Sequence, residues 1–202
     1  MITVHGYTPS GNCWKVAQIL RLTGRAFRWV EVDSNAGETR TEAFLAMNPL
    51  GKIPTVVLDD GAVITESNAI MAHFAEGTAY LPAPGLARTR VFEWLFFEQY
   101  SHEPYIAVAR NIVSFLKAAA ANAERLEQCR IGGERALGVM ERRLAGHDWL
   151  TDAGPTIADI ALLAYTQAAD EGGFDLDRWP GVKAWVARGL ALPGIVALQR
   201  AG

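Results

Sequence analysis

Directly after the apolar run "MITVHGY", the chain reads "PSGNCWKV" (9–16), which sets a hydroxyl at Ser10 three positions before a thiol at Cys13. Pro9 ends the strand-like segment, and Ser10 is a good N-cap for a helix opening at Gly11. On that helix Cys13 shares a face with Val16, Ala17 and Leu20. A thiol on such a core face behaves as a small inert hydrophobe with a raised pKa. Ser10 stands instead at the positive end of the helix, where a hydroxyl can serve an anion. Lowering a thiol's pKa from about 8.5 to below 7 takes about 2–3 kcal/mol. A hydrogen bond to a charged acceptor supplies about 1.5–3 kcal/mol, and a helix N-terminus up to ~1–2 more. Ser10 could therefore hold another molecule's thiolate, although simple helix capping is the plainer alternative. A Ser-His hydrolase pairing has no local support.

Two further stretches carry polar chemistry. In "NPLGKIPTVVL" (48–58), Ile53-Pro54 opens a strand, a place where proline is tolerated. With a trans bond the proline merely starts the strand; with a cis bond the Ile53 backbone turns outward to meet an extended, peptide-like ligand. In "TESNAI" (65–70), Glu66 and Ser67 begin a helix whose free N–H groups favour a carboxylate, while Glu66 could accept from an ammonium. A ligand with a free α-amino acid end suits that pair. Capping by Ser67 with a solvated Glu66 is the bland alternative.

The elements that must position these residues are legible from periodicity. "MITVHGY" reads as a strand, "GNCWKVAQILRLTG" as a helix stopped by Gly24, and "FRWVEV" (27–32) as a second strand. "GETRTEAFLAMN" (37–48) reads as one short helix. "PTVVL" and "AVI" flank Asp59-Asp60-Gly61 as a hairpin, and "ESNAIMAHFAEG" (66–77) is a helix with Ile70, Met71, Phe74 and Ala75 inward. The order βαβ, helix, hairpin, helix predicts a mixed four-stranded sheet of thioredoxin-like type. Proline and glycine then cluster in "GTAYLPAPG", and no strand signal follows. The organisation expected is residues 1–77 as the α/β domain, 78–86 as linker, and 87–202 as an all-helical domain. In that domain "LARTRVFEWLFFEQYSH" and "IAVARNIVSFLKAAAA" are helical, broken or kinked by Pro104. "AERLEQCRIGGERALGVMERRLAG" is amphipathic, "TIADIALLAYTQAAD" is a buried central helix, and "GVKAWVARGLAL" with "GIVALQR" completes the helical set.

Composition excludes several function classes. The 202 residues are half apolar and one fifth charged, with a net charge of −3 that offers no basic surplus for nucleic acid. No apolar run reaches the length of a membrane span, and no signal-peptide pattern opens the chain. Cys13 and Cys129 form no disulfide framework. His5, His73, His102 and His147 share no metal-ligand spacing, so they read as structural or exposed and no metal is expected. A cytoplasmic protein is the default expectation.

Ser10-x-x-Cys13 occupies the place where thioredoxin-like redox proteins carry C-x-x-C, with the attacking cysteine replaced by serine. Together with "NPLGKIPTVVLDDGAVITESNAI" and "PTIADIALLAY" (155–165), it makes the whole chain resemble the cytosolic glutathione transferases, of a serine-type, bacterial-like kind. The resemblance implies a glutathione-binding thioredoxin-like domain, a helical domain that shapes the electrophile pocket, and a homodimer. By that likeness Ser10, assisted by Asn12, stabilises the glutathione thiolate. The Ile53 backbone pairs with the cysteinyl peptide, and Glu66 and Ser67 hold the γ-glutamyl end. Lys52 reaches the peptide or a carboxylate, and Arg40 is named for the glycine carboxylate. Tyr105 and Arg110, on the helix after Pro104, are expected in the electrophile pocket. Thr156 and Asp159 stand at capping-box spacing, a structural motif. Tyr7, near the end of the first strand, is the alternative hydroxyl by analogy with tyrosine-type members. "SGNCWKV" also partly resembles the zeta-class "SSCxWRV" of maleylacetoacetate isomerases, with Asn12 where that class has cysteine. Conjugation of glutathione to a small hydrophobic electrophile is the leading reading. Glutathione-dependent isomerase, peroxidase or disulfide reductase chemistry is the alternative, and a non-catalytic protein-contact role is a third.

Overall fold

The computed structural model describes residues 1–201. Strand β1 (Ile2–Gly6) lies parallel to β2 (Phe27–Glu31), joined by helix α1 (Gly11–Leu22). After a 3-10 turn (Glu38–Arg40) and α2 (Glu42–Met47), strand β3 (Thr55–Val57) pairs antiparallel with β1. It then turns through Asp59-Asp60-Gly61 into β4 (Val63–Thr65), giving the sheet order β2-β1-β3-β4. Gly61, at φ 86°, supplies the left-handed turn residue, and the Asp60 carboxylate accepts from the Ala62 amide. Helix α3 (Ser67–Ala75) closes the domain and buries Ile70, Met71, Phe74 and Ala75 against the sheet, the inward set its periodicity predicts.

The helical domain starts at α4 (Leu86–Phe97), so Leu86 belongs to the helix rather than to the expected linker. Next come α5 (Glu103–Arg110), α6 (Ala123–Leu144), α7 (Ile157–Thr166) and α8 (Pro180–Leu190). Every residue of α7 is buried. Helix α1 packs against both α3 and α7, so both of its flanks are covered. Cys13, Val16, Ile19 and Leu20 face the core at zero exposure, and Lys15 and Gln18 are buried as well.

Four expectations about elements change. The helix expected over 37–48 is split at Thr41, whose hydroxyl caps α2 by accepting from the Phe44 amide. Pro104 does not break its helix: a wide π turn (Glu98–His102) carries α4 into α5, with the proline in the first turn where no amide is missed. The run "IAVARNIVSFLKAAAA" leaves the helix after a second π turn (Asn111–Phe115), where Lys117 takes φ 50°. "GIVALQR" is an extended tail. Its backbone is satisfied by side chains, with Trp14 Nε1 donating to the Val196 carbonyl and Gln18 and Gln167 accepting from the Val196 and Leu198 amides.

Candidate functional site

The two domains meet at the N-terminus of α1, and two clefts open there. The first, about 240 Å³, has Tyr7, Ser10 and Arg110 on its walls together with the apolar Ala107, Val108 and Phe115. The second, about 100 Å³, is polar and brings Asn12, Lys52, Ile53, Glu66 and Ser67 together. Five of the residues singled out in the sequence thus converge on one small cleft, and Ser10 lines its neighbour. Glu103 lines both.

Local backbone chemistry sets each group. Ser10 is the N-cap of α1, its Oγ accepting from the Cys13 amide at 3.4 Å. In this bond the oxygen only accepts, so the cap does not use the hydroxyl proton. Cys13 is at zero exposure, and burial pushes its thiol up to about 11, so it is no nucleophile at neutral pH. The Ile53–Pro54 bond is cis, and neither the Ile53 amide nor its carbonyl has a hydrogen-bond partner among the described residues. Glu66 takes φ 65°, an unfavourable region for a residue with a Cβ, directly before the buried Ser67 that opens α3. The exposed Glu66 side chain stands on the rim of the polar cleft, and the first turn of α3 faces into it.

Behind this rim lies a buried polar network that the sequence reading did not anticipate. Lys15 and Glu98 are both at zero exposure and form an ion pair at 2.7 Å. Lys15 Nζ also donates to Asn12 Oδ1 at 2.8 Å, and Ser67 Oγ donates to the same oxygen at 3.3 Å. Two donors on Oδ1 fix the amide orientation, so Asn12 Nδ2 points to the Glu103 carboxylate at 3.4 Å. Glu98 accepts further from Asn68 and Gln99. Burial opposes the Glu98 charge, but Lys15 outweighs it and holds the carboxyl below its usual range. Glu103 is held above that range, chiefly by burial. The Tyr165 hydroxyl accepts from the Asn12 amide at 3.2 Å, and burial pushes this phenol far up, so it stays protonated. Gly11 admits this contact, because a Cβ there would stand 2.6 Å from the Tyr165 ring.

Two of the residues singled out in the sequence, Arg40 and Tyr105, line neither cleft, and a third, Arg110, lines one with its charge already paired. Arg40 lines neither cleft; its Nη1 donates to the Leu50 carbonyl and lies against Gly51, whose left-handed turn leaves room for it. Tyr105 turns toward α6, where Gly132 admits its ring, and lines a separate outer groove of about 600 Å³. Two positions on from Glu103, it turns away from the Ser10 cleft. Arg110 does line the Ser10 cleft, but its guanidinium is committed to Glu171 at 2.5 Å and to the carbonyls of Pro9 and Gln199. It is a clamp on the loop before Ser10. No local sequence signal marks the missed network, because Lys15 and Glu98 stand 83 residues apart.

Comparisons with known proteins give the family of both domains. Residues 9–76 match the model of the glutathione S-transferase N-terminal domain, and residues 123–188 match that of the C-terminal domain. A crystal structure of a glutathione S-transferase from Xanthobacter autotrophicus Py2 is 60% identical, covers 98% of this chain and 97% of its own, and superposes with a TM-score of 0.96. The chain belongs to the glutathione S-transferase family. Among named relatives, glutathione S-transferase 3 of Zea mays is 34% identical over 91% of this chain and 86% of its own length. The disulfide-bond oxidoreductase YfcG of Escherichia coli K12 is 28% identical over 90% and 87%. The structure of Ure2p in complex with glutathione is 27% identical, covers 96% of this chain and 91% of its own, and has a TM-score of 0.83. In this glutathione S-transferase the α/β domain therefore carries the polar cleft, and the helical domain supplies the apolar wall beside Ser10.

Proposed function

We propose that the protein binds glutathione in the polar cleft, stabilises its thiolate at Ser10 and Asn12, and transfers the sulfur to a small hydrophobic electrophile held in the adjoining cleft. The observation that carries the reading is the seam itself. A polar slot with unpaired peptide groups at Ile53 and a helix N-terminus at Ser67 runs into a cleft with apolar walls, and Ser10 stands on the second wall. The free backbone groups of Ile53 suit a cysteinyl peptide. The N-terminus of α3 suits the γ-glutamyl carboxylate, with Glu66 for its ammonium. Lys52, exposed at the rim, is the cation nearest to hand for the glycine carboxylate, in place of Arg40.

Two wider properties belong to the same reading. The outer face carries exposed Phe96, Tyr100 and Ile131 beside the Tyr105 groove, apolar area that a second copy of the chain would cover as a homodimer. Two free, buried cysteines fit a reducing cytoplasm, conjugation of electrophiles would serve detoxification, and no helix among the described residues is long and apolar enough to cross a membrane.

The test is glutathione binding by calorimetry, together with the ultraviolet thiolate band of the bound peptide. Ser10→Ala is expected to bind glutathione but to lose the band and about 10–100-fold in conjugation of a chloronitroarene. Cys13→Ala is expected to keep the band and to lose about 1–2 kcal/mol of stability through a small core void. A band that survives in Ser10→Ala transfers the role to Tyr7. Isomerisation, peroxide reduction and disulfide reduction, assayed in parallel, separate conjugation from the other glutathione chemistries.

A further inference from the structure

We propose that Glu103 is the proton acceptor for the glutathione thiol, a role that rests on the glutathione reading above. Its position is the first argument. Glu103 is the one residue on the walls of both clefts, so its carboxylate sits at the seam where the peptide end and the electrophile meet. The sulfur of the substrate has to lie at that seam.

The second argument is hydrogen-bond supply. The carboxylate has a single side-chain donor, Asn12 Nδ2, and at 3.4 Å that bond is long. It therefore keeps lone pairs for a proton. Asn12 is oriented by Lys15 and Ser67 on its oxygen, so its amide hydrogens stay directed at the seam whatever occupies it. Once Glu103 is protonated it accepts less strongly, and the Asn12 donor becomes available to the new thiolate.

The third argument is charge. The cations facing Glu103 are Lys15 from α1, Lys52 from the polar cleft and Arg110 one helical stretch on, and two of these are already paired, with Glu98 and Glu171. Glu98 and Glu66 add negative charge, while Tyr165, held protonated by burial, is a neutral wall. A thiolate formed by losing its proton to bulk water would add an anion to this field. Transfer to Glu103 leaves the total charge unchanged. Burial, partly offset by Lys15, raises the affinity of Glu103 for that proton.

The step balances as follows. The S–H bond breaks and an Oε–H bond forms on Glu103, with the electron pair left on sulfur. Sulfur attacks the electrophilic carbon, the leaving group departs with its bonding pair, and Glu103 returns its proton to water.

The experiment uses the whole protein with glutathione and compares wild type, Glu103→Gln and Glu103→Asp, each checked for unchanged melting. Glu103→Gln is expected to bind glutathione within about threefold of wild type, while thiolate band and turnover fall about 10²-fold at about pH 6.5. The deficit should close to within about fivefold at about pH 9, where a free thiol ionises unaided. Glu103→Asp should restore part of the loss. An equal or stronger thiolate band in Glu103→Gln at the lower pH overturns the proposal, since the carboxylate would then only repel the anion. A loss that is the same at both pH values, or weakened binding with unchanged turnover, overturns it too, in favour of a scaffold or an ammonium-binding role. Failure of wild type to bind glutathione sinks the underlying reading instead, and the calorimetry tells the two apart.

Discussion

Two buried carboxylates, Asp159 and Glu98, are held in opposite ways. Asp159 lies wholly within the helical domain and has no cation. Its Oδ1 accepts from the Leu150 amide and Trp185 Nε1, and its Oδ2 from the Thr156 amide and hydroxyl, closing a capping box at the start of α7. Every lone pair that faces protein is used. Glu98 is paired with Lys15 across the domain boundary, and its network runs through Asn12 and Ser67 to the edge of a cleft. Asn68, which donates to Glu98, keeps a buried Oδ1 without a partner among the described residues. A closed cluster of buried charge serves the fold; one that opens toward a cleft leaves polar capacity for a ligand. The two should therefore fail differently.

Asp159→Ala is expected to produce the largest effect. It strands the Leu150 and Thr156 amides and the Trp185 indole, and at about 1–3 kcal/mol per buried donor the loss comes to about 4–6 kcal/mol. Urea denaturation reads it directly. Glutathione binding per folded molecule should stay near wild type, and a specific loss of binding would break the contrast. Lys15→Met ranks next, at about 3–5 kcal/mol, because Glu98 is left charged and unpaired in the interior. The double variant Lys15→Met with Glu98→Leu should recover most of that stability. It should not recover the thiolate band, because Asn12 has lost the donor that orients it. Recovery of both would make the pair a packing device only.

The same contrast explains what could be read from the chain. Thr156 and Asp159 stand three apart at a helix start, so the capping box is local and visible, and so is the inward face of α3. Ser10, Lys52, Ile53, Glu66 and Ser67 were legible because each sits at an element boundary with its own turn or cap chemistry. The Lys15–Glu98 pair joins residues 83 apart, and nothing local marks either as buried. Burial of the second flank of α1 by α7, which takes Lys15 out of water, is a tertiary fact. Glu103 escaped notice for a related reason. Its neighbour Tyr105 carried the aromatic signal, yet a two-residue step around the helix points the two side chains to different grooves. The wide turn at Glu98–His102 that sets this phase has no sequence signature comparable to Pro104.

The smallest of the three effects is a pH dependence, and on the Glu98 side it comes from His102. His102 is at zero exposure, and its Nε2 meets Thr166 Oγ1 at 2.9 Å. The Thr166 proton is already given to the Leu162 carbonyl at 2.6 Å, so the imidazole donates from Nε2 and is neutral. Burial lowers its pKa to about 4, with Glu98 opposing the shift and Lys15 adding to it. The unfolded chain binds this proton near the ordinary imidazole value of 6.5, well before the folded protein does. The stability it contributes is therefore complete above 6.5 and lost as pH falls through about 4, by up to about 3 kcal/mol at 1.36 kcal/mol per unit. Asp159 has the opposite sign: burial raises its pKa, so protonation favours the folded form as pH falls. His102→Gln keeps a donor for Thr166 and removes the titration. Wild type and variant should show a constant difference in urea midpoint above pH 6.5, and below it the gap should shift in the variant's favour. An unchanged acid slope in His102→Gln would move the proton uptake to other groups and leave the histidine as packing.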